Sequence, residues 1–467
     1  MAIFKSLRQR FLQYMNSPMS AKVFWRHLGI IVAAAVLLRI VLALPALRDA
    51  STLLRPDSMG YWNPACAIAA GDGLVSEPGS TQLEVVRPVG YPALLALVIV
   101  LCGKSFAAAA VAGVLVSASG VVPVMLAVRR FFGERAGVLA GWLWALNLTG
   151  IAASVLILSD TLLSVLAAWQ FYFAVRFVKE KKLLFFAPLT LSAILAVLVK
   201  PVNLPIVLAG LPLILLIARL PRQDLLRGAL IWVILFCGLL LPYWVRNAAI
   251  CGDLDGNTAN LYFHNGSAVM ARVTGESSEV WRERLLAQAE KEFTAHPEQY
   301  PTIKEQNRWK KAQFSSMIKA HPQEFAITHL PNIFNLLPDV PSMLENNHVT
   351  QSGRGTMAVL RQKGFFAAVN HYFNGKWQVM LYLLPLLGIY LLTLLLALIQ
   401  VVKYLKKIDW QAILLFGTLV FYYVWAPGPV ISPRYLLPAL PMMIFMAVQC
   451  CMCNNKDKTF NNKEVDL

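Results

Sequence analysis

Two aspartates stand at the ends of apolar runs, where a carboxylate can serve chemistry. Asp57 lies in RPDSMGYW, shortly after an apolar run, and Asp160 opens the apolar run ILSDTLLSVL behind Ser159. A carboxylate can take the proton from a reacting hydroxyl group, and a helix N-terminus favours the ionised form of a residue such as Asp160. The simpler interpretations are a solvated turn for Asp57 and an ordinary first-turn or capping acid for Asp160.

Basic residues stand at the same ends of the apolar runs. The most informative is Lys200, because LVKPVNLP places it and the helix-breaking Pro201 at the junction of two apolar runs. A lysine here can extend its stem to the membrane surface, or it can bind a phosphate and offset the charge that develops as the phosphate leaves. The candidate substrate-binding cations are Arg55, Arg87, Lys200, Arg246 and Arg434.

The composition identifies the elements that must position these residues. Of 467 residues, 57% are hydrophobic and only 14% are charged, against about 25% charged in soluble domains. The chain is therefore an integral membrane protein, and its first span is expected to be retained as an anchor. Most of the net charge of +17 lies beside the apolar runs, which indicates cytoplasmic loops rather than nucleic-acid binding.

Ten apolar runs approach the length of about 20 residues that a membrane-spanning helix needs. Four short basic loops between them, at 129–135, 176–182, 219–227 and 403–407, face the cytoplasm with both termini if positive charge is retained inside. The sequence thus predicts an all-α polytopic membrane protein. The spans are 28–47, 106–128, 136–157, 160–178, 183–200, 202–219, 229–246, 378–402, 410–426 and 434–453.

The apolar segment 89–103 is excluded as a crossing, because counting it would place every later basic loop outside. Its length favours a re-entrant or interfacial helix. The resulting organisation is a catalytic transmembrane core at 1–247 with a first outer loop at 48–88, an outward-facing and mostly helical segment at 248–377, and C-terminal transmembrane helices with a short cytoplasmic tail at 378–467.

The outer segment contains a helical stripe of apolar residues, which suits a helix lying on the protein or on the membrane surface. The stripe consists of Trp281, Leu285, Ala289 and Phe293. Two cysteines, Cys66 and Cys251, also fall on the outer side, where a disulfide bond between them is chemically possible.

This topology places both aspartates and all five candidate cations on the outer face. Carboxylates beside cations suit a sugar carried on a phosphorylated lipid, because the cations hold the phosphate while a carboxylate accepts the proton of the incoming group. We find no Gly-rich phosphate loop, so a nucleotide is not expected.

An ordered set of motifs along nearly the whole chain resembles the polytopic GT-C glycosyltransferases. The resemblance is to the branch that contains the protein O-mannosyltransferases and the bacterial lipid A aminoarabinose transferase. The matching motifs are RPDSMGYW, VRPVGYPALLAL, ILSDTLLS, LVKPVNLP, PYWVRN, NLYFHNG, KAHPQEF and SPRYLLPALP.

The resemblance implies a polyprenyl-phosphate sugar as donor, an envelope lipid, glycan or protein as acceptor, and an active site on the extracytoplasmic face of the plasma (inner) membrane. It implies that Asp57 is the catalytic acid-base residue and that Asp160 orients the acceptor or the base. Lys200 matches a lysine near the donor phosphate, and Tyr61 would line the pocket. Arg246 and Arg434 match basic positions at the rim of the cavity.

No carboxylate cluster demands a divalent ion, so no metal ligand and no cofactor are assigned, although members of this fold differ in metal use. The alternative function is a polytopic transporter or lipid flippase. Such proteins usually have paired repeats and ionisable residues near the bilayer midplane, whereas the candidate residues here gather at the outer ends of the spans.

Overall fold

The computed structural model describes residues 2–254, 256, 258–349, 356–407, 413 and 418–452. These residues are almost entirely helical, apart from turns and one isolated antiparallel bridge between Val75 and Leu83. The predicted all-α class is therefore confirmed.

The first half of the chain is a succession of helices joined by short turns. Short 3₁₀ or π turns lie between several of them, at Ala50–Leu53, Pro201–Asn203, Ile206–Gly210 and Phe236–Leu240. The α-helices are α1 (Ala2–Asn16), α2 (Ala21–Arg48), α3 (Met59–Ala70), α4 (Gly90–Cys102), α5 (Phe106–Ser119), α6 (Val121–Phe132), α7 (Glu134–Ala145), α8 (Leu148–Ala153), α9 (Asp160–Glu180), α10 (Leu183–Val199), α11 (Leu211–Ile217), α12 (Arg222–Leu235) and α13 (Leu241–Cys251).

The remainder begins with shorter helices and ends with apolar ones. Its 3₁₀ and π turns are Leu261–Gly266, Ile333–Leu336, Trp377–Val379 and Pro433–Ala439. Its α-helices are α14 (Thr258–Asn260), α15 (Ser267–Thr274), α16 (Ser278–Ala295), α17 (Ile303–Ala320), α18 (Pro322–Thr328), α19 (Val340–Asn346), α20 (Thr356–Tyr372), α21 (Met380–Lys407), α22 (Thr418–Trp425) and α23 (Leu440–Met452).

Six helical stretches of the described chain are long and apolar enough to cross a membrane, so the protein is polytopic. Three more apolar helices are shorter, at Gly90–Cys102, Leu183–Val199 and Pro201–Ile217. The six long stretches are Ala21–Arg48, Phe106–Phe132, Asp160–Glu180, Arg222–Cys251, Trp377–Lys407 and Pro433–Met452.

The helix α4 coincides with the segment that was excluded as a crossing. Its 13 residues extend over about 20 Å at 1.5 Å per residue, whereas the hydrocarbon core is about 30 Å thick. Of the predicted span 410–426, residues 410–412 and 414–417 lie outside the described residues.

The predicted span 136–157 is not a continuous helix. Helix α7 ends at Ala145, and Asn147 caps the short helix α8 by accepting a hydrogen bond from the Gly150 N–H at 2.8 Å. The buried guanidinium of Arg39 donates to the Ala145 carbonyl at 3.0 Å and to the Trp144 carbonyl at 3.4 Å. The Trp144 carbonyl also accepts from the Asn147 N–H at 3.2 Å, whereas carbonyls at a helix end lack intrahelical partners; Arg39, which had no predicted role, therefore stabilises the break mainly through Ala145.

The core is centred on α23, whose residues from Leu440 to Gln449 are all buried. A helix that is apolar on all sides belongs in the interior of a bundle, and α23 packs against α7, α9 and α21. Helix α9, which begins with Asp160, is thereby held at the centre of the protein.

The apolar stripe of α16 packs on the protein itself. Leu285 and Ala289 are buried in a cluster with Tyr262 and Phe314. Of the two predicted surfaces for this helix, the protein and the membrane, the structure shows the protein. Cys66 and Cys251 are both buried and are not joined by a disulfide bond in the described part of the chain. The division into 1–247, 248–377 and 378–467 stays a prediction.

Candidate active site

Six of the eight predicted site residues line one cavity of about 370 Å³, named here the aspartate cavity. Its volume is within the range of about 300–1,000 Å³ that is usual for ligand pockets. The residues come from the loop before α3 and its first turn, the segment before α4, the start of α9, the end of α10 and the turn before α23. They are Asp57, Tyr61, Arg87, Asp160, Lys200 and Arg434.

Asp57 is presented by a tight turn at the start of α3. The Ser58 N–H donates to the Arg55 carbonyl, and the Arg55 N–H donates to the Ser58 hydroxyl, both at 2.8 Å. The Asp57 Oδ1 atom accepts a hydrogen bond from Arg87 Nη2 at 2.7 Å, while the side chain remains 44% exposed. Asp57 is therefore a paired carboxylate that is still accessible from the cavity.

Asp160 is in a different environment, although it lines the same cavity. It is the first residue of α9, its side chain is only 6% exposed, and Lys200 Nζ donates to its Oδ1 at 2.7 Å. The side chain of its neighbour Ser159 makes no capping hydrogen bond and instead contacts the Tyr61 hydroxyl at 3.1 Å. A buried charge requires a partner of opposite sign, and Lys200 supplies it.

Arg434 contacts both aspartates. Its Nη2 lies 3.9 Å from Asp57 Oδ2, and its Nε lies 3.5 Å from Asp160 Oδ2. Pro433 begins the 3₁₀ turn that carries it, and the guanidinium is 16% exposed. The Nε–H makes no hydrogen bond within the described residues. Arg434 therefore holds the two carboxylates around one guanidinium, and its buried Nε faces Asp160.

Lys200 is held by the turn that follows α10. Its backbone is extended, with φ −157°, and Pro201 then begins a 3₁₀ turn. The buried Asn203 fixes this turn by donating to Gln170 Oε1 at 3.2 Å and accepting from the Tyr423 hydroxyl at 2.7 Å. The turn at Lys200 is therefore produced locally by Pro201 and stabilised by the tertiary hydrogen bonds of Asn203.

Arg87 and Tyr61 lie next to each other in the cavity wall. The Arg87 guanidinium lies 4.9 Å from the centre of the Tyr61 ring, and the Glu84 carboxylate accepts from the Arg87 backbone N–H at 2.8 Å. Burial tends to lower the pKa of Arg87, but Tyr61 and Asp57 raise it above its usual range. Arg87 therefore stays charged.

The cavity has an excess of one positive charge, because three basic side chains face two carboxylates. An arrangement of this kind can bind a phosphate through charge-assisted hydrogen bonds. The described residues contain no group of three or more His, Cys, Asp or Glu side chains placed to hold a metal ion.

The structure does not bring Arg55 and Arg246 to this cavity. Arg55 forms an ion pair with Glu345 at 2.8 Å and donates to nearby backbone carbonyls. Arg246 donates to the carbonyls of Leu74 at 3.0 Å and Glu84 at 2.9 Å, which attaches the loop before Arg87 to α13. Both guanidinium groups stabilise the surroundings of the cavity.

Residues that sequence reasoning missed also line the aspartate cavity. The π turn Leu261–Gly266 places His264 and Asn265 in the cavity wall, and Tyr435 follows Arg434. His264 and Asn265 lie in the motif NLYFHNG, and Tyr435 lies in SPRYLLPALP. The resemblance therefore included these motifs, but none of the three residues had a predicted role in the site. Burial, Arg282 and Arg87 lower the pKa of His264, while Asp57 opposes this shift.

Residues 86–244 match the family model described as dolichyl-phosphate-mannose-protein mannosyltransferase. The resemblance to the GT-C membrane glycosyltransferases is confirmed over this segment. Arg87, Asp160 and Lys200 lie inside the matched segment, whereas Asp57 and Arg434 lie outside it. No curated protein sequence is significantly similar to this chain.

Two solved GT-C enzymes are similar in structure at low sequence identity. AglB, the oligosaccharyltransferase of Archaeoglobus fulgidus in complex with an inhibitory peptide and a dolichol-phosphate, is 14% identical with a TM-score of 0.47. The similarity covers 92% of this chain and 50% of AglB, so this chain spans about half the length of that enzyme.

ArnT from Cupriavidus metallidurans is similar in two states. In the apo state it is 14% identical with a TM-score of 0.40, over 92% of this chain and 78% of ArnT. In the state bound to undecaprenyl phosphate, ArnT is 15% identical with a TM-score of 0.40, over 91% of this chain and 76% of ArnT.

Proposed function

We propose that the protein is a membrane glycosyltransferase that moves a sugar from a polyprenyl-phosphate donor to an acceptor of the cell envelope. The observation that carries this proposal is the aspartate cavity, in which an accessible carboxylate and three cations face one space. The family match over residues 86–244 supports the same class of reaction.

The donor phosphate binds beside Lys200 and Arg434. The excess positive charge of the cavity, to which Lys200 and Arg434 contribute, favours an anion and charge-assisted hydrogen bonds to phosphate oxygens. As the phosphate leaves, both cations offset the charge that develops on it. Charge neutralisation of this kind acts in the transition state and so accelerates the reaction.

The polyprenyl chain lies in apolar surroundings next to the phosphate. An apolar cavity of about 70 Å³ shares Tyr423 with the aspartate cavity, and its walls include Phe171, Leu211 and Met442. These walls belong to α9, α11 and α23, within the transmembrane part of the fold. The first isoprene unit of the donor in this position leaves the phosphate near Lys200, while the rest of the chain lies in the lipid.

Asp57 is the base, because it is the more accessible of the two carboxylates. Asp160 is nearly buried and contacts Lys200 and Arg434, so it positions the cations. In the proposed step the acceptor oxygen or nitrogen forms a bond to the anomeric carbon of the sugar. The bond from that carbon to the phosphate oxygen breaks, its electron pair remains on the phosphate, and the acceptor proton passes to Asp57. A single displacement of this kind inverts the anomeric centre.

The orientation that we propose has both termini in the cytoplasm and the aspartate cavity on the extracytoplasmic side of the plasma (inner) membrane. It rests on the basic loops at the opposite ends of the spans. The acceptor is an envelope lipid such as lipid A, a glycan or a protein.

The proposal is tested with the purified protein in lipid nanodiscs. Undecaprenyl phosphate carrying radiolabelled mannose, glucose or aminoarabinose is added together with solubilised envelope material. We expect loss of label from one donor and its appearance in the acceptor fraction. Movement of labelled lipid across a vesicle membrane without cleavage of the sugar–phosphate bond would contradict the proposal and favour a flippase.

A further inference from the structure

A second cavity adjoins the aspartate cavity on the side of the outer segment. It has a volume of about 190 Å³ and is named here the outer cavity. The two cavities share His264 and Val430. The remaining wall of the outer cavity includes Ser278, Glu279, Arg282 and Pro429.

The charged groups of the outer cavity are exposed residues of α16, Glu279 and Arg282. Among the described residues, neither side chain is part of an ion pair or a side-chain hydrogen bond. On the same helix, Arg284 is paired with Glu276 and does not line the cavity. A carboxylate and a guanidinium at one cavity wall can therefore serve a ligand.

The composition of the wall indicates the chemical class of that ligand. One acidic and one basic side chain cancel in charge, so the outer cavity has no preference for an anion. Glu279 accepts hydrogen bonds and Arg282 donates them, which matches the neighbouring hydroxyl groups of a sugar. Ser278 adds a hydroxyl, whereas Pro429 and Val430 offer apolar surface to the C–H face of a sugar ring. The volume is on the scale of a single sugar ring.

The outer cavity is also placed for the reaction. His264 lines both cavities, and the charges that act on it include Arg282 of the outer cavity and Asp57 and Arg87 of the aspartate cavity. A sugar ring in the outer cavity can therefore extend one hydroxyl past His264 into the aspartate cavity.

We infer that the outer cavity is the acceptor subsite and that the acceptor is a carbohydrate, held by Glu279 and Arg282. This inference rests on the proposed function and specifies its acceptor. The attacking group is a sugar hydroxyl, the bond formed is glycosidic, and the hydroxyl proton passes to Asp57 as the donor phosphate departs. Arg282 and Glu279 bind the acceptor and take no part in bond cleavage.

The test uses the full-length protein in nanodiscs and the donor that it consumes. The acceptor probes are the octyl glycosides of mannose, glucose, galactose and N-acetylglucosamine, with a serine- and threonine-containing peptide and phosphatidic acid as other classes. We expect transfer to at least one octyl glycoside. Arg282→Ala and Glu279→Gln should each raise the acceptor KM about tenfold or more, as expected for loss of a hydrogen bond to a charged group, while kcat and the donor KM stay within twofold.

The matched controls are Arg284→Ala and Glu283→Gln, which lie on α16 but not on the outer cavity. Both should leave the acceptor KM unchanged. Unchanged acceptor KM in the Arg282 and Glu279 variants would overturn the assignment of the subsite. Transfer to the peptide or to phosphatidic acid, with every octyl glycoside unused, would overturn the carbohydrate class. Failure to consume any polyprenyl-phosphate sugar would instead overturn the proposed function itself.

Discussion

Lys200 Nζ lies 2.7 Å from Asp160 Oδ1, although the two residues are 40 positions apart in the sequence. The contact joins the C-terminal end of α10 to the N-terminal end of α9. The contact stabilises the junction of α9 and α10, and it also positions Lys200, which lines the aspartate cavity.

Removing the charge of Asp160 should destabilise the protein more than it affects the chemistry directly. Asp160→Asn leaves Lys200 without its partner, and we expect a loss of about 2–4 kcal/mol, less than for a fully buried pair because Lys200 remains partly exposed. Thermal unfolding in detergent, followed by tryptophan fluorescence, measures the change. An unchanged unfolding temperature would show that the pair does not stabilise the junction.

The bridging position of Arg434 makes its replacement by lysine non-conservative. Lysine lacks the planar guanidinium, so Arg434→Lys cannot contact both carboxylates and a donor phosphate with the same geometry. We expect kcat to fall about 100-fold, the usual effect of losing one preorganised donor. Steady-state kinetics with the purified variant checks this. Activity within threefold of the unmodified protein would exclude a role for the guanidinium geometry.

Gly90 of α4 packs tightly against the C-terminal end of α10. A Cβ atom there would lie 2.8 Å from the Leu198 carbonyl oxygen and 2.9 Å from a Val199 methyl. Gly90→Ala must separate the helices just before Lys200, and we expect a loss of about 1–3 kcal/mol of stability, typical of overpacking. Transfer activity should fall with it.

The control for this substitution is Gly388→Ala. Its Cβ would meet no atom within 4 Å, so the change should leave stability unaltered or slightly increased. Equal unfolding temperatures for the two alanine variants would contradict the close approach at Gly90.

His264 should contribute to a dependence of stability on pH. Its pKa in the folded protein is below 6.5 because of burial, with Arg282 and Arg87 acting in the same direction. The unfolded chain therefore binds the proton more readily, and stability should decline as the pH falls from about 6.5 through the lowered folded value. Unfolding temperatures recorded from pH 8 to pH 5 measure this, and His264→Gln should flatten that part of the profile. An identical profile for the variant would contradict the prediction.

The sequence identifies much of the site because residue types at span ends report depth in the membrane. Asp57, Asp160, Lys200 and Arg434 stand at span ends and all line one cavity, whereas its location on the outer face stays a prediction. The level of a residue in the membrane does not determine, however, on which face of its helix the side chain lies. Arg55 and Arg246 occur at the same level but donate to backbone carbonyls, and nothing in their local sequence distinguishes them.

Two other features depend on partners that are distant in the sequence. The break after Ala145 is stabilised by Arg39, more than 100 residues earlier, so the apolar run alone predicts a continuous span. His264 belongs to a polar outer segment whose position over the site depends on tertiary packing around Tyr262 and Leu285. Hydrophobic periodicity contains no information about either contact.

The most direct test of the central claim is the transfer rate of Asp57→Asn with the donor that the unmodified protein consumes. We predict that transfer falls at least 100-fold, as for loss of a general base, with unfolding temperature and binding of the donor lipid retained. Glu77→Gln is the matched control, because this exposed acid lies in the same outer loop and does not line the cavity. Full transfer by Asp57→Asn would contradict the account.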